Sequence, residues 1–91
     1  MKKLTWNVKK AEKLRLDKSR DGITFDDCEN ALSEGKLLDD IPNPSLAYGG
    51  QRMFIIDINN YAYVVPYVES KNEVFLKTVY PSRRYTKMYL R

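Results

Sequence analysis

Lys77, Tyr80, Arg83, Arg84 and Tyr85 fall within nine residues near the C-terminus. Arginine presents a fork of donors that matches phosphate oxygens two at a time. A lysine or a tyrosine can move a proton once its surroundings retune its pKa. Together they suit phosphodiester chemistry, in which a hydroxyl nucleophile is deprotonated, a pentacoordinate phosphorus is stabilised and the leaving oxygen is neutralised. Arg52 is a third arginine candidate for stabilising the phosphorus, with Lys77, Tyr80 and Tyr85 the nearest proton carriers. Glu69 is the carboxylate with the best, though modest, claim to be a base. From Lys77 to Arg91 there are five basic residues, three tyrosines and no acid. At the end of that segment, Tyr85, Lys87 and Arg91 suit holding a polyanion more than acting on it.

These side chains must be carried by a small fold. The chain has 91 residues, enough for one domain spanning 1–91 with a single modest core. With 43% apolar and 31% charged residues it reads as globular. No stretch matches a membrane span, and Met1-Lys2-Lys3 is not followed by the apolar run of a signal peptide. The expected location is therefore cytoplasmic. Cys28 is the only cysteine and histidine is absent, so neither a disulfide, a metal centre nor a cofactor is expected. The net charge of +4 is segregated: residues 1–20 hold eight Lys or Arg against two acids, and residues 21–45 hold seven acids against Lys36. Two basic ends would steer an anionic polymer to one side. Lys9, Lys10 and Lys13 extend that phosphate track on the N-terminal side or form a solvated helix face.

Periodicity places the elements. Asn7 is positioned to cap a first helix, Val8 to Ser19, ended by Asp21-Gly22, with Ala11 and Leu14 on its buried stripe. Thr24 caps a second helix with Asp26 and Asp27 in its first turn, where the dipole favours anions. Phe25, Cys28, Ala31 and Leu32 make its buried stripe, and Gly35 ends it. Lys36 to Asp40 reads as a short edge strand. Arg52 to Ile58 and Tyr61 to Val68 read as a hairpin around a type I′ turn at Asn59-Asn60. A third strand, Val74 to Tyr80, completes a meander. Pro66 demands a bulge or an unpaired side. Tyr61, Tyr63 and Tyr67 share one sheet face, as core or as a stacking platform. Trp6 is expected to staple the chain against the sheet. Pro81 opens a C-terminal helix, Ser82 to Leu90. The fold class is α+β: two N-terminal helices, a small antiparallel meander of three to four strands and a short C-terminal helix.

With that order in view, three segments are similar to the BrnT family of bacterial toxins. They are Trp6-Asn7-Val8-Lys9-Lys10-Ala11-Glu12-Lys13-Leu14, Gly22-Ile23-Thr24-Phe25-Asp26-Asp27-Cys28, and Thr78-Val79-Tyr80-Pro81-Ser82-Arg83-Arg84. The resemblance spans nearly the whole chain. It implies a RelE-like ribonuclease fold, RNA cleavage by 2′-OH attack that inhibits translation, and a cognate antitoxin of the ribbon-helix-helix type as partner, with DNA reached only through that antitoxin. Many relatives carry a histidine where this chain has Ser19-Arg20-Asp21 and an acid where it has Thr86-Lys87-Met88. A noncatalytic RNA- or antitoxin-binding module is the alternative.

Overall fold

The computed structural model describes residues 2–17, 22–45 and 49–91. The chain begins with a strand, β1 (Lys3–Trp6), followed by α1 (Val8–Leu16), α2 (Phe25–Ser33), β2 (Leu37–Pro42), β3 (Arg52–Ile58), β4 (Tyr61–Glu69), β5 (Glu73–Leu76), β6 (Tyr80–Pro81) and α3 (Arg83–Leu90). The sheet order is β1-β5-β4-β3-β2, with β6 also on β4. No described helix is long and apolar enough to cross a membrane.

This overturns the expected two helices followed by an antiparallel meander of three to four strands. A strand precedes the helices, and the six-stranded sheet is mixed because β1 runs parallel to β5, Lys3 beside Glu73 and Trp6 beside Leu76. Alternation explains why residues 3–6 are a strand. Leu4 and Trp6 turn toward the core beneath α2, and Trp6 stacks on Phe25 with ring centroids 5.6 Å apart. Trp6 is thus part of the sheet instead of a staple against it.

The helices form where their caps and stripes predict, with shorter ends. Asn7 accepts from the Lys10 N–H at 3.0 Å at the start of α1. That helix stops at Leu16, three residues before the expected Ser19, because Asp17 is already extended. Asp27 accepts from the Thr24 N–H at 2.8 Å, satisfying one orphan donor at the start of α2. At its other end Gly35 adopts φ +76°, and the N–H groups of Gly35 and Lys36 close back on Leu32 and Ala31, a Schellman ending that favours glycine.

Asn59 and Asn60 both have positive φ, 56° and 64°, as the type I′ hairpin requires. Strand alternation then divides the sheet into two faces. Ile56, Ile58, Tyr63, Val65, Tyr67, Val74 and Leu76 meet Leu14, Phe25, Cys28 and Ala31 from α1 and α2. Tyr63 and Tyr67 are buried and Tyr61 packs beside them, so this tyrosine face is core. Met53, Ile55, Ala62 and Val64 face the other way, against Tyr85, Tyr89 and Leu90 of α3. Burying each fully enclosed Phe or Ile contributes about 2 kcal/mol.

The third strand of the expected meander is broken in two. Tyr67 pairs with Leu76, and Val64 with Tyr80, so residues 77–79 stand opposite only Val65 and Pro66. One extra residue opposite a proline is a β-bulge. Pro66 has no N–H to give, and a regular ladder there would leave a carbonyl unpaired. Instead the Lys77 N–H donates to the Pro66 carbonyl at 2.8 Å. Pro81 belongs to β6, and Ser82 is the N-cap of α3, its hydroxyl accepting from the Tyr85 N–H at 3.1 Å. Thr86, 2% exposed, ties α3 to the sheet. Its hydroxyl accepts from the Ala62 N–H at 2.8 Å and donates to the Ser82 carbonyl at 2.7 Å.

Candidate nucleic-acid interface

The bulge opens a cleft of about 560 Å³ on the α3 face of the sheet. Met53 and Pro66 contribute to its wall from β3 and β4. Lys77 and Thr78 enter from the bulge, Tyr80 from β6, Arg84 and Tyr85 from the first turn of α3, and Lys10 from α1. Asn43, Ser45 and Gln51 close the remaining side. Their turn is held by the Asn43 N–H on the Gln51 carbonyl and the Ser45 N–H on the Asn43 side chain, both at 3.0 Å. Among the described residues, no Asp or Glu lines the cleft.

Three of the five residues expected to act on phosphate, Lys77, Tyr80 and Arg84, therefore share one cavity with Lys10 and Tyr85, expected to hold RNA. The Arg84 guanidinium carbon lies 5.6 Å from the Tyr85 ring centroid, so the ring helps to set its position. Burial, and then the neighbouring Tyr85, raise the Tyr80 phenol above its ordinary value. A phenol is protonated near neutrality even at its ordinary value, so Tyr80 can offer a proton to a leaving oxygen, and its surroundings make it a weaker acid for that task.

Lys77 and Lys10 also line a second cleft of about 410 Å³ with Lys9, Lys13, Asn7 and Phe75. The two clefts thus share both lysines, and the second brings in the remaining N-terminal lysine candidates. Arg83, Lys87 and Arg91 are exposed and line neither cleft.

Arg52 is not part of this assembly. It has the same strand parity as Phe54 and Ile56, which puts it on the α1 and α2 face. There its Nε meets Asp40 Oδ1 at 3.1 Å and its Nη2 donates to the Asp40 carbonyl at 2.9 Å. The Tyr67 hydroxyl donates to the same carboxylate oxygen at 2.7 Å. Burial, and then the hydrogen bond to Asp40, push the Tyr67 phenol up to about 12. Glu69 shares that parity and pairs with Lys2 at 2.7 Å. Neither Arg52 nor Glu69 lines the bulge cleft.

Cys28 is wholly buried in the main core, and burial first, then Asp27, drive its thiol up to about 12. It is a core residue, as its place on the α2 stripe predicts. Among the described residues, no group of three or more His, Cys, Asp or Glu side chains could hold a metal ion.

Asn43, Ser45, Gln51 and Thr78 escape sequence reasoning. The packing of Asn43 and Ser45 against a bulge from the other end of the chain has no local signal. Phe75 was visible only as one residue of a β-rich run. No family model, curated protein or solved structure matches this chain.

Proposed function

We propose that this protein is a toxin-type endoribonuclease that grips an RNA backbone in the bulge cleft and cleaves it by attack of a ribose 2′-OH on the adjacent phosphate. The observation that carries the reading is the convergence of Lys77 from the bulge, Tyr80 from β6 and Arg84 from α3 in a cleft that no acid lines among the described residues. A site with that lining favours an anion and repels none of its charge. Arg84 suits the equatorial phosphate oxygens and Tyr80 the departing 5′-oxygen. Lys77 is the remaining proton carrier for the 2′-OH. In the balanced step the 2′-oxygen forms a bond to phosphorus as its proton passes to the neutral amine form of Lys77, which becomes the ammonium. The bond to the 5′-oxygen breaks, and that oxygen takes a proton from Tyr80, leaving a 2′,3′-cyclic phosphate.

In this reading the protein is cytoplasmic, blocks translation and is neutralised by a cognate antitoxin, as the resemblance to the BrnT toxins implies. Arg84 and Lys77 would then be covered by an acidic segment of that partner. Incubating the purified chain with defined RNA in EDTA tests the activity. Fragments ending in a cyclic phosphate are expected, and the soluble folded protein leaving RNA intact would overturn it. The second reading, a binding module that holds RNA or antitoxin without cutting, is favoured by a cleft that offers neither histidine nor carboxylate as a base. Salt-sensitive RNA binding without fragments is its signature.

A further inference from the structure

We infer that Phe75 is a stacking platform for an unpaired nucleobase, placed next to the phosphate cleft so that the same RNA strand is held by its base as well as by its backbone. The inference rests on the RNA reading above and adds a recognition element to it.

Phe75 lies between Val74 and Leu76 on β5, both of which are buried in the main core. Alternation sends its ring to the opposite face of the sheet. It belongs to neither core cluster and remains partly exposed. α3 covers that face only over β3 and β4, at Met53, Ile55, Ala62 and Val64. The β5 end of the face is left with Phe75 beside Val68, its register partner, which is 40% exposed. A large ring left partly open on a strand, in a domain small enough to need every aromatic for its core, has some other use.

What surrounds the ring identifies the occupant. Lys9, Lys10 and Lys13 of α1 line the same cleft as Phe75, and Lys77 Nζ stands 5.4 Å from its centroid. Among the described residues, no acid lines that cleft. Glu73, two residues away on the same strand, stands beside Lys3 in the register. An aromatic face ringed by cations is what single-stranded nucleic acid requires: the ring takes a base without sequence preference and the lysines take the flanking phosphates. A purely acidic peptide would use the lysines and have no need of the ring. Because Lys10 and Lys77 line both clefts, a strand stacked on Phe75 would run on past Lys77 into the cleft of Tyr80 and Arg84.

The test compares two probes on the full-length chain: a short oligoadenylate with 2′-deoxy linkages, which cannot be cleaved, and inorganic polyphosphate, which has charge but no bases. Phe75→Leu, which keeps an apolar side chain in the strand, and Phe75→Ala should weaken oligoadenylate binding about tenfold and leave polyphosphate binding unchanged. Phe75→Trp should retain or tighten oligoadenylate binding. Equal loss for both probes would overturn the inference by showing that the ring only supports the lysines. Undiminished oligoadenylate binding by folded Phe75→Leu would overturn stacking while leaving the RNA reading intact. Failure of the unsubstituted chain to bind either RNA or oligoadenylate would remove both. Tight capture of an acidic peptide, weakened by none of the ring substitutions, would assign the face to a protein partner instead.

Discussion

The backbone N–H of Lys77 donates to the carbonyl of Pro66 at 2.8 Å, at the point where three residues of one strand face two of the next. The proline and the bulge solve each other's problem, and the cleft is where they do it. Deleting Thr78 would let β5 and β6 run as one regular strand, with Val79 still opposite Val65 in the core. The deletion variant is expected to fold while RNA cleavage falls about a hundredfold, since displacing a reacting group by about 1 Å is enough for that loss. Circular dichroism together with a cleavage assay reads both.

Arg84 and Arg52 should separate cleanly. Removing a donor aimed at developing charge costs about 10²- to 10³-fold in rate, so Arg84→Ala should lose cleavage at that scale with unfolding unchanged. Arg52→Ala should cleave normally and unfold more easily, because it removes both guanidinium contacts from Asp40 on the other face and leaves its carboxylate, among the described residues, only the Tyr67 hydroxyl. Single-turnover rates and a thermal melt distinguish the two; cleavage lost in Arg52→Ala would contradict the assignment of faces.

Thr86→Val keeps shape and removes a buried hydroxyl that serves the Ala62 N–H and the Ser82 carbonyl. Leaving a buried donor unpaired costs roughly 1 to 3 kcal/mol. A lower urea midpoint at constant slope is the expected result.

Stability should decline in alkali. Tyr67 rises from 10.0 to about 12 and Cys28 from 9.0 to about 12 in the folded chain, and Tyr80 and Tyr89 shift in the same direction. Each neutral group is favoured by folding. Their contribution is complete below the unfolded values, about 9 for the thiol and 10 for the phenols, and is lost as pH climbs toward 12. At the acid end, the hydrogen bond from Tyr89 lowers the Asp39 carboxyl, so its contribution is present above 3.8 and lost as pH falls below it. Urea midpoints measured from pH 8 to pH 12 should fall steadily, and less steeply in Tyr67→Phe. A flat profile would refute the coupling.

The Cys28 thiol is wholly buried and held protonated, so a thiol reagent should modify it only when the chain opens. Labelling should track the unfolding rate and accelerate with urea. Fast labelling of the native protein would mean that α2 leaves the core readily.

The caps, stripes and hairpin were legible because each is local: Asn7, Thr24 and Gly35 act within a few residues, and Asn59-Asn60 carries its own backbone preference. β1 was not legible. Residues 3–6 are brief, end in a helix-opening motif and become a strand only through β5 at the other end of the chain. Residues 74–80 looked like one strand because the interruption is imposed by Pro66, a residue of its neighbour. For the site, charge and aromatic content pointed to Lys77, Tyr80 and Arg84. Arg52, named with them, lies on the other face of β3, and Met53 and Phe54 made both faces of that strand look like core and left no hint of which one carried the cleft.

The parallel pairing of β1 with β5 also sets a schedule. Lys9, Lys10 and Lys13 leave the ribosome well before Glu73–Leu76, β1 has no strand to dock on until that segment has followed, and Arg84 arrives later still. Long-range closure of this kind is slow. A half-made chain therefore carries separate basic segments and no cleft, and under the proposed function a product truncated before Arg84 would lack the means to attack the RNA on which it is being made.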